Sequence, residues 1–242
     1  MEICHLKAAG PRNWRKAALA MAMIDSARSA GVDIQANMYP YTAGGTSLTA
    51  CFPPSASADG RLFQNLADPR ARSRIRAEIQ SPTEEWENLC DLATPEGTLL
   101  LGLGRSAHRR FVGRYLADVA RELGKDWIDT ALDLVLEEGQ GIGTVFFMMS
   151  EENVAMQLGP SWMKFGTDAS GLDPTASGGL AHPRARSGPS LSRMQCGRCP
   201  HQLSTGVQQV FVNGQAVVAN GVHTGVLAGR ALRGPGWTGW AR

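Results

Sequence analysis

The sequence predicts an α/β fold, and three observations carry that prediction. Glu2–Leu6 reads as a strand, residues 13–28 as a helix and Val32–Asn37 as a second strand, joined by short connections. That alternation is the rhythm of a parallel sheet. Thr144-Val-Phe-Phe-Met-Met149 is a continuous apolar run of strand length, the pattern of a strand buried on both faces. Trp162, Met163 and Phe165 then lead through Gly166 to Asp168, a short buried strand ending in a carboxylate, with a Gly/Ser/Pro loop beyond it.

Taken in order, the first helix shows apolar residues at Trp14, Ala17, Ala18, Met21, Ile24 and Ala27, with Asn13 as its cap and Gly31 as its stop signal. Residues 51–97 are the least regular part, with Pro53-Pro54, a Ser/Ala/Gly tract and a charged helix from Asp68 to Gln80. Thr98-Leu-Leu-Leu-Gly102 reads as another strand. Two helices follow, one ending at Gly124 and one capped by Asp126. Ser150-Glu-Glu-Asn153 opens the helix that leads to the strand before Asp168. Asn213-Gly214 lies between two strand-like runs and predicts a hairpin. The last residues, Gly234–Arg242, read as a surface arm.

Bulk composition narrows the classes of function. The 242 residues are 43% hydrophobic and 19% charged, with a net charge of +2. No basic stripe interleaved with aromatics points to nucleic acid. No apolar run reaches the length a bilayer needs, and the first residues lack an export signal's cleavage pattern, so no membrane partner is expected. Five cysteines, at 4, 51, 90, 196 and 199, are an odd number without a framework spacing. No disulfide and a cytoplasmic location are the expectation. Cys196, Cys199 and His201 are either part of a zinc knuckle or free thiols beside a histidine, since the second ligand pair of such a site is missing.

On spacing alone Asp168 is either a turn or helix cap or a catalytic carboxylate at the rim of a strand. His5, beside apolar residues, is either a packed histidine or a ligand, and Lys7 is a strand-end charge. Phe165-Gly-Thr-Asp168-Ala-Ser with His182-Pro-Arg184 resembles the N-acyl-D-amino-acid deacylases (D-aminoacylases) of the amidohydrolase superfamily. Five further segments share the resemblance: Cys4-His5-Leu6-Lys7, Asn37-Met-Tyr39-Pro-Tyr41-Thr-Ala-Gly-Gly-Thr46, Phe146–Glu152, Val210–Gly214, and His223-Thr-Gly225 with Gly229-Arg-Ala-Leu-Arg-Gly234.

The resemblance implies the second half of a metal-dependent (β/α)8 TIM barrel over residues 1–184, with about five parallel strands and an insertion at 51–97. It implies a remnant of a C-terminal β-sandwich over 200–242. It also implies a Zn2+ ion, a small-molecule N-acyl-D-amino acid as substrate, and amide hydrolysis to a carboxylate and a D-amino acid. His5 would be a metal ligand, Asp168 the proton carrier and a second ligand, and Arg184 with His182 the substrate-binding pair. Tyr39 stands where some members have a ligating His, and tyrosine is a poor zinc ligand because its pKa is about 10. The family's first-strand His-x-His and its metal-bridging Cys have no counterpart here.

Residues 185–199 have neither periodicity nor enough apolar content to pack. Ser187-Gly-Pro-Ser-Leu191 is what the family's Phe-Gly-Thr-Phe-Pro becomes under suitable codons read one base out of frame. An out-of-frame linker, with family sequence missing after it, is therefore expected, and so is weak zinc binding without turnover by these residues alone. Alternatives to the deacylase are an inactive truncated or frameshifted fragment of one, or a dihydroorotase- or hydantoinase-like cyclic amidohydrolase.

Overall fold

The computed structural model describes residues 1–81, 85–166, 168 and 208–229 of the chain. Strand β1 (Glu2–Ile3) is followed by helix α1 (Lys16–Ser29), which buries Ala17, Met21 and Ile24 along one stripe. The expected Asn13 cap is not formed. Pro11–Asn13 make a short 3-10 turn, Arg15 occupies the capping position, and Asn13 donates its side-chain amide to the Ala9 carbonyl instead. Gly31 ends the helix at φ 87°, where a side chain would be strained.

Strand β2 (Gln35–Met38) runs parallel to β1, with Ile3 opposite Ala36. Strand β3 (Ala43–Ser47) turns away into a second sheet. Helices α2 (Leu62–Ala67) and α3 (Pro69–Gln80) follow, α3 capped by Asp68, and then α4 (Leu89–Ala93), capped by Asn88. Strands β4 (Thr98–Leu100) and β5 (Arg114–Tyr115) precede α5 (Leu116–Leu123) and α6 (Trp127–Glu138). Left-handed Gly124 and Gly139 end these two helices, and Asp126 caps α6 as expected. Strand β6 (Gly143–Phe147), helix α7 (Glu151–Gln157) and strand β7 (Met163–Phe165) complete this part.

Two sheets result. The parallel one has order β1-β2-β7 and packs on Met21, Ile24, Val154 and Trp162. The other has order β3-β6-β4-β5 and is antiparallel throughout. This corrects the expectation of about five parallel strands: among the described residues three strands are parallel, and Thr98–Leu100 and Gly143–Phe147 are not. The cause lies in burial on both faces. Leu99 packs with Ala43 and Val145, while Leu100 joins the large cluster around Leu48, Phe111, Leu132 and Phe146. Such a strand is apolar throughout whichever way its neighbours run. Gly102 approaches β6 so closely that a Cβ there would lie 2.3 Å from the Gly143 amide nitrogen.

A second correction concerns the cysteines. Cys51, after β3, and Cys90, in α4, are joined by a disulfide, with Cα atoms 5.1 Å apart and 39 residues between them in sequence. Cys4 is the free cysteine among the described residues and is exposed.

Strands β8 (Gln209–Val212), β9 (Gln215–Ala219) and β10 (Val222–His223) form an antiparallel sheet of their own. Asn213 and Gly214 both have positive φ, 49° and 75°, as the expected hairpin turn requires. Asn220-Gly221 repeats the device at 53° and 77°. Among the described residues no helix is long and apolar enough to cross a membrane.

Candidate functional site

The C-terminal ends of β1, β2 and β7 lie side by side, because the strands are parallel and their ladders are in step. Asn37 pairs with Lys164 and Met38 with Phe165, and the Gly166 amide donates to the Met38 carbonyl at 2.9 Å. The residues just beyond these ends are His5, Tyr39 and Asp168, so the topology brings three of the expected site residues to one rim.

His5 adopts a left-handed backbone, φ 53°, which is uncommon for a residue with a side chain. Asn37 supports it. The His5 amide donates to Asn37 Oδ1 at 2.9 Å, the Leu6 amide donates to the Asn37 carbonyl at 2.8 Å, and Asn37 Nδ2 donates to Glu2 at 3.1 Å. The exposed imidazole meets the Tyr39 ring edge-on, centroids 5.3 Å apart. Asp168 also has positive φ, 46°, and is exposed.

Lys7, read from the sequence as a strand-end charge, is half-buried, with Nζ 4.7 Å from the Tyr39 ring centroid. Burial pulls its ammonium down from the ordinary lysine range, while the charges of Asp168 and Glu87 oppose that shift. Burial and then the Asp168 charge push the Tyr39 hydroxyl up to about 12. Tyr39 is therefore a phenol at neutral pH, a hydrogen-bond donor rather than an anionic ligand. Lys7 and Glu87 are functional candidates that the sequence reading missed. The available signal for Lys7 was its position two residues after His5, on the rim side of the same strand end.

Lys7 and Tyr39 line a cavity of about 540 Å³ together with Lys16, Thr46, Glu87 and Gln157. Gly44 and Met148 also line it, and side chains that bond to backbone hold parts of the lining in place. Gln157 donates to the Leu6 carbonyl at 3.0 Å, and the Trp14 indole donates to the Met148 carbonyl at 2.9 Å. His5 and Asp168 stand at the rim outside this lining.

His182 and Arg184, like Cys196, Cys199 and His201, lie outside the described residues. Among the described residues no group of three His, Cys, Asp or Glu side chains is arranged to hold a metal ion. His5 is the imidazole this rim offers, and a catalytic zinc needs about three protein ligands with an open position. The described residues therefore do not by themselves fit that ion.

No family model matches the chain. Over 116 residues it is 32% identical to an N-acyl-D-glutamate deacylase of Alcaligenes xylosoxydans xylosoxydans, a match covering 45% of this chain and 22% of that protein. Among solved structures, a D-aminoacylase mutant in complex with CuCl2 is similar with a TM-score of 0.59 at 19% identity, covering 96% of this chain and 49% of the other. That likeness shows the fold. An N-acyl-D-glutamate deacylase from Bordetella bronchiseptica, complexed with zinc and a phosphonate inhibitor, gives a TM-score of 0.44 at 22% identity, covering 69% of this chain and 26% of that one. The chain thus spans about a fifth of its curated relative and half or less of these structural ones.

Proposed function

We propose, from relatives that point to the N-acyl-D-glutamate deacylase and D-aminoacylase group of amidohydrolases over part of the chain, that the rim of His5, Tyr39 and Asp168 with its cavity is the substrate side of such a site. The reaction is hydrolysis of the amide of an N-acyl-D-amino acid to a carboxylate and a D-amino acid. The observation that supports this reading is the meeting of three parallel strand ends, bearing an imidazole, a phenol and a carboxylate, above a cavity with a half-buried lysine.

A zinc ion, when bound in such enzymes, supplies carbonyl polarisation and an acidified water. His5 is one imidazole toward it, and the described residues leave the rest of the ligand set unfilled. The chain's own side chains therefore take binding and proton tasks. Tyr39, kept protonated, donates a hydrogen bond to the scissile carbonyl region. Asp168, at the opposite strand end, carries a proton to the leaving amine. Lys7 faces the substrate's α-carboxylate, and Arg184 would grip that group with two parallel hydrogen bonds.

Calorimetric titration of the chain with N-acetyl-D-methionine and its L isomer tests the reading. Expected are D-selective binding, a several-fold loss on Tyr39→Phe or Arg184→Lys, and little or no turnover with added zinc. Equal binding of the two isomers, or binding of neither, overturns it. A preference for cyclic amides such as hydantoins would favour the cyclic amidohydrolase instead.

A further inference from the structure

A disulfide ties one wall of the cavity to another. Gly44, Gly45 and Thr46 of β3 line one side, and Glu87 and Leu89, at the start of α4, line a second. The bridge from Cys51 to Cys90 joins the elements behind these two walls, and both cysteines are fully buried. The two sides are anchored unequally. β3 pairs with β6 through five residues, from Ala43 opposite Phe147 to Ser47 opposite Gly143, and the Leu48 amide donates to the Ile142 carbonyl at 2.8 Å. Helix α4 has five residues and pairs with no strand. Besides the bridge, short-range contacts hold it. Asn88 Oδ1 accepts from the amides of Cys90 and Asp91 at 3.0 and 3.2 Å, Asp91 forms an exposed ion pair with Arg12, and Leu92 and Ala93 reach the core. Leu92 also leans on the loop after β1, where a Cβ at Gly10 would lie 2.7 Å from its Cδ2.

We propose that Cys51–Cys90 is a thiol–disulfide switch on this cavity: the oxidised bridge holds the α4 wall closed, and reduction releases it. Two thiols need more room than one bridge, and a packed site meets added volume by shifting the element that is held less. That element is α4. Its release carries Leu89 and Glu87 out of the lining, and with Glu87 goes a charge that faces Lys7. The reductant is a dithiol. One of its thiolates attacks a bridge sulfur, giving a mixed disulfide and freeing one cysteine. Its second thiolate then closes on the first and frees the other cysteine, so two electrons and two protons pass to the protein and the reductant becomes a disulfide. Affinity and redox state are linked. A ligand bound roughly tenfold more tightly by the oxidised chain therefore lowers the midpoint potential of the bridge by about 30 mV. The choice of ligand rests on the function proposed above, and the release of α4 does not.

The experiment poises the chain in mixtures of reduced and oxidised dithiothreitol and reads amide exchange by mass spectrometry, together with Kd for N-acetyl-D-methionine. Expected on reduction is a rise in exchange over Leu89–Ala93 that exceeds the rise in β6 roughly tenfold, and a Kd raised by about the same factor. Re-oxidation restores both. Cys51→Ala/Cys90→Ala should bind like the reduced chain and ignore the dithiol, which separates this bridge from the exposed Cys4. Equal loosening of α4 and β6, or a reduced chain that circular dichroism shows to be unfolded, makes the bridge a structural staple and overturns the switch. Binding of N-acetyl-D-methionine that ignores the redox state overturns it too. Binding in neither state, with α4 released as expected, overturns the deacylase reading and leaves the switch of the wall in place.

Discussion

The parallel and antiparallel sheets divide the molecule into a part that presents chemistry and a part that holds shape. The parallel sheet is made of strands two to four residues long, and its outer strands β1 and β7 have one pairing partner each among the described residues. Short edges of this kind leave backbone groups unpaired, and their local opening requires little free energy. The antiparallel sheet sits on the large cluster containing Phe111, Leu132 and Phe146, beneath capped helices and next to the disulfide. The residues of the candidate site stand on the first part, while the second supplies the far wall of the cavity through Gly44, Thr46 and Met148. The site thus borrows its rigidity from a core that Tyr39 packs against, while His5 and Asp168 stand exposed outside it.

The largest test of that division is reduction of Cys51–Cys90. The bridge joins two cavity walls, since Cys51 follows the strand of Gly44–Thr46 and Cys90 follows Leu89. A closed loop of this length contributes about 4 kcal/mol in the chain-entropy account. Reduction, or a Cys51→Ser/Cys90→Ser variant, should lower the unfolding free energy read from urea denaturation by that order. It should also accelerate amide exchange in β4 and β6 far more than in β1 and β2, whose short strands are expected to exchange fast in the oxidised chain as well. Protection in the oxidised chain that is higher in β1 and β2 than in β6 would break the comparison.

Next in size is Glu138, a buried carboxylate that holds the loop after β4. Its side chain is 1% exposed and accepts from the amides of Gly104, at 3.0 Å, and Arg105, at 3.2 Å. His108 places Nδ1 at 2.6 Å from Glu138 and Nε2 at 2.9 Å from Glu137. Burial alone would raise the Glu138 pKa, but His108 and the two backbone donors outweigh it and leave the group lowered. Glu138→Gln replaces one acceptor oxygen with a donor facing other donors. A loss of about 3 kcal/mol is expected from breaking such a buried pair, read from urea denaturation. A loss under about 1 kcal/mol would mean the loop relaxes and the antiparallel half is less rigid than argued.

What the sequence revealed follows the range of the forces involved. The cap at Asp126, the helix starts at Asp68 and Ser150 and the turn at Asn213-Gly214 were legible because side chain and backbone partner lie within a few residues, while the Asn13 cap was misread. The direction of β4 and β6 was not, because an apolar run records burial on two faces and not the sense of its neighbours. The disulfide was hidden for a similar reason: nothing local to Cys51 or Cys90 announces the partner 39 residues away. At the site, His5, Tyr39 and Asp168 were picked out by resemblance and do meet at one rim. Lys7 was passed over because strand-end lysines are usually solvated, whereas its burial in the cavity lining and its packing on Tyr39 appear only in the folded chain. His108 gave no signal, since its two carboxylate partners lie about thirty residues ahead.

The smallest effect concerns pH and the ion pairs between α3 and α6. Arg76 holds Asp126, with NH1 3.0 Å from Oδ1, and also reaches Asp129, while Arg72 reaches Asp133 at 2.6 Å. The hydrogen bond from Arg76 is the main reason the Asp126 pKa lies at about 2. Burial opposes the shift, and the Asp129 amide adds to it. A free aspartate titrates near about 4. Because the folded value is the lower one, the stabilisation is fully present above about pH 4 and is lost as pH falls toward 2. The carboxylate is 43% exposed, so solvent screening reduces the effect to under about 1 kcal/mol. Asparagine keeps the helix cap that Asp126 makes with the Asp129 amide. Asp126→Asn should therefore be less stable than the parent at pH 6, by some tenths of a kcal/mol, and the gap should close by pH 2. In 1 M salt, where the screening length is about 3 Å, the gap at pH 6 should shrink as well. Urea midpoints across that range measure it. A gap that persists unchanged at pH 2 would assign the loss to the cap rather than to the charge, and the ion pairs would then have no part in steadying the antiparallel half.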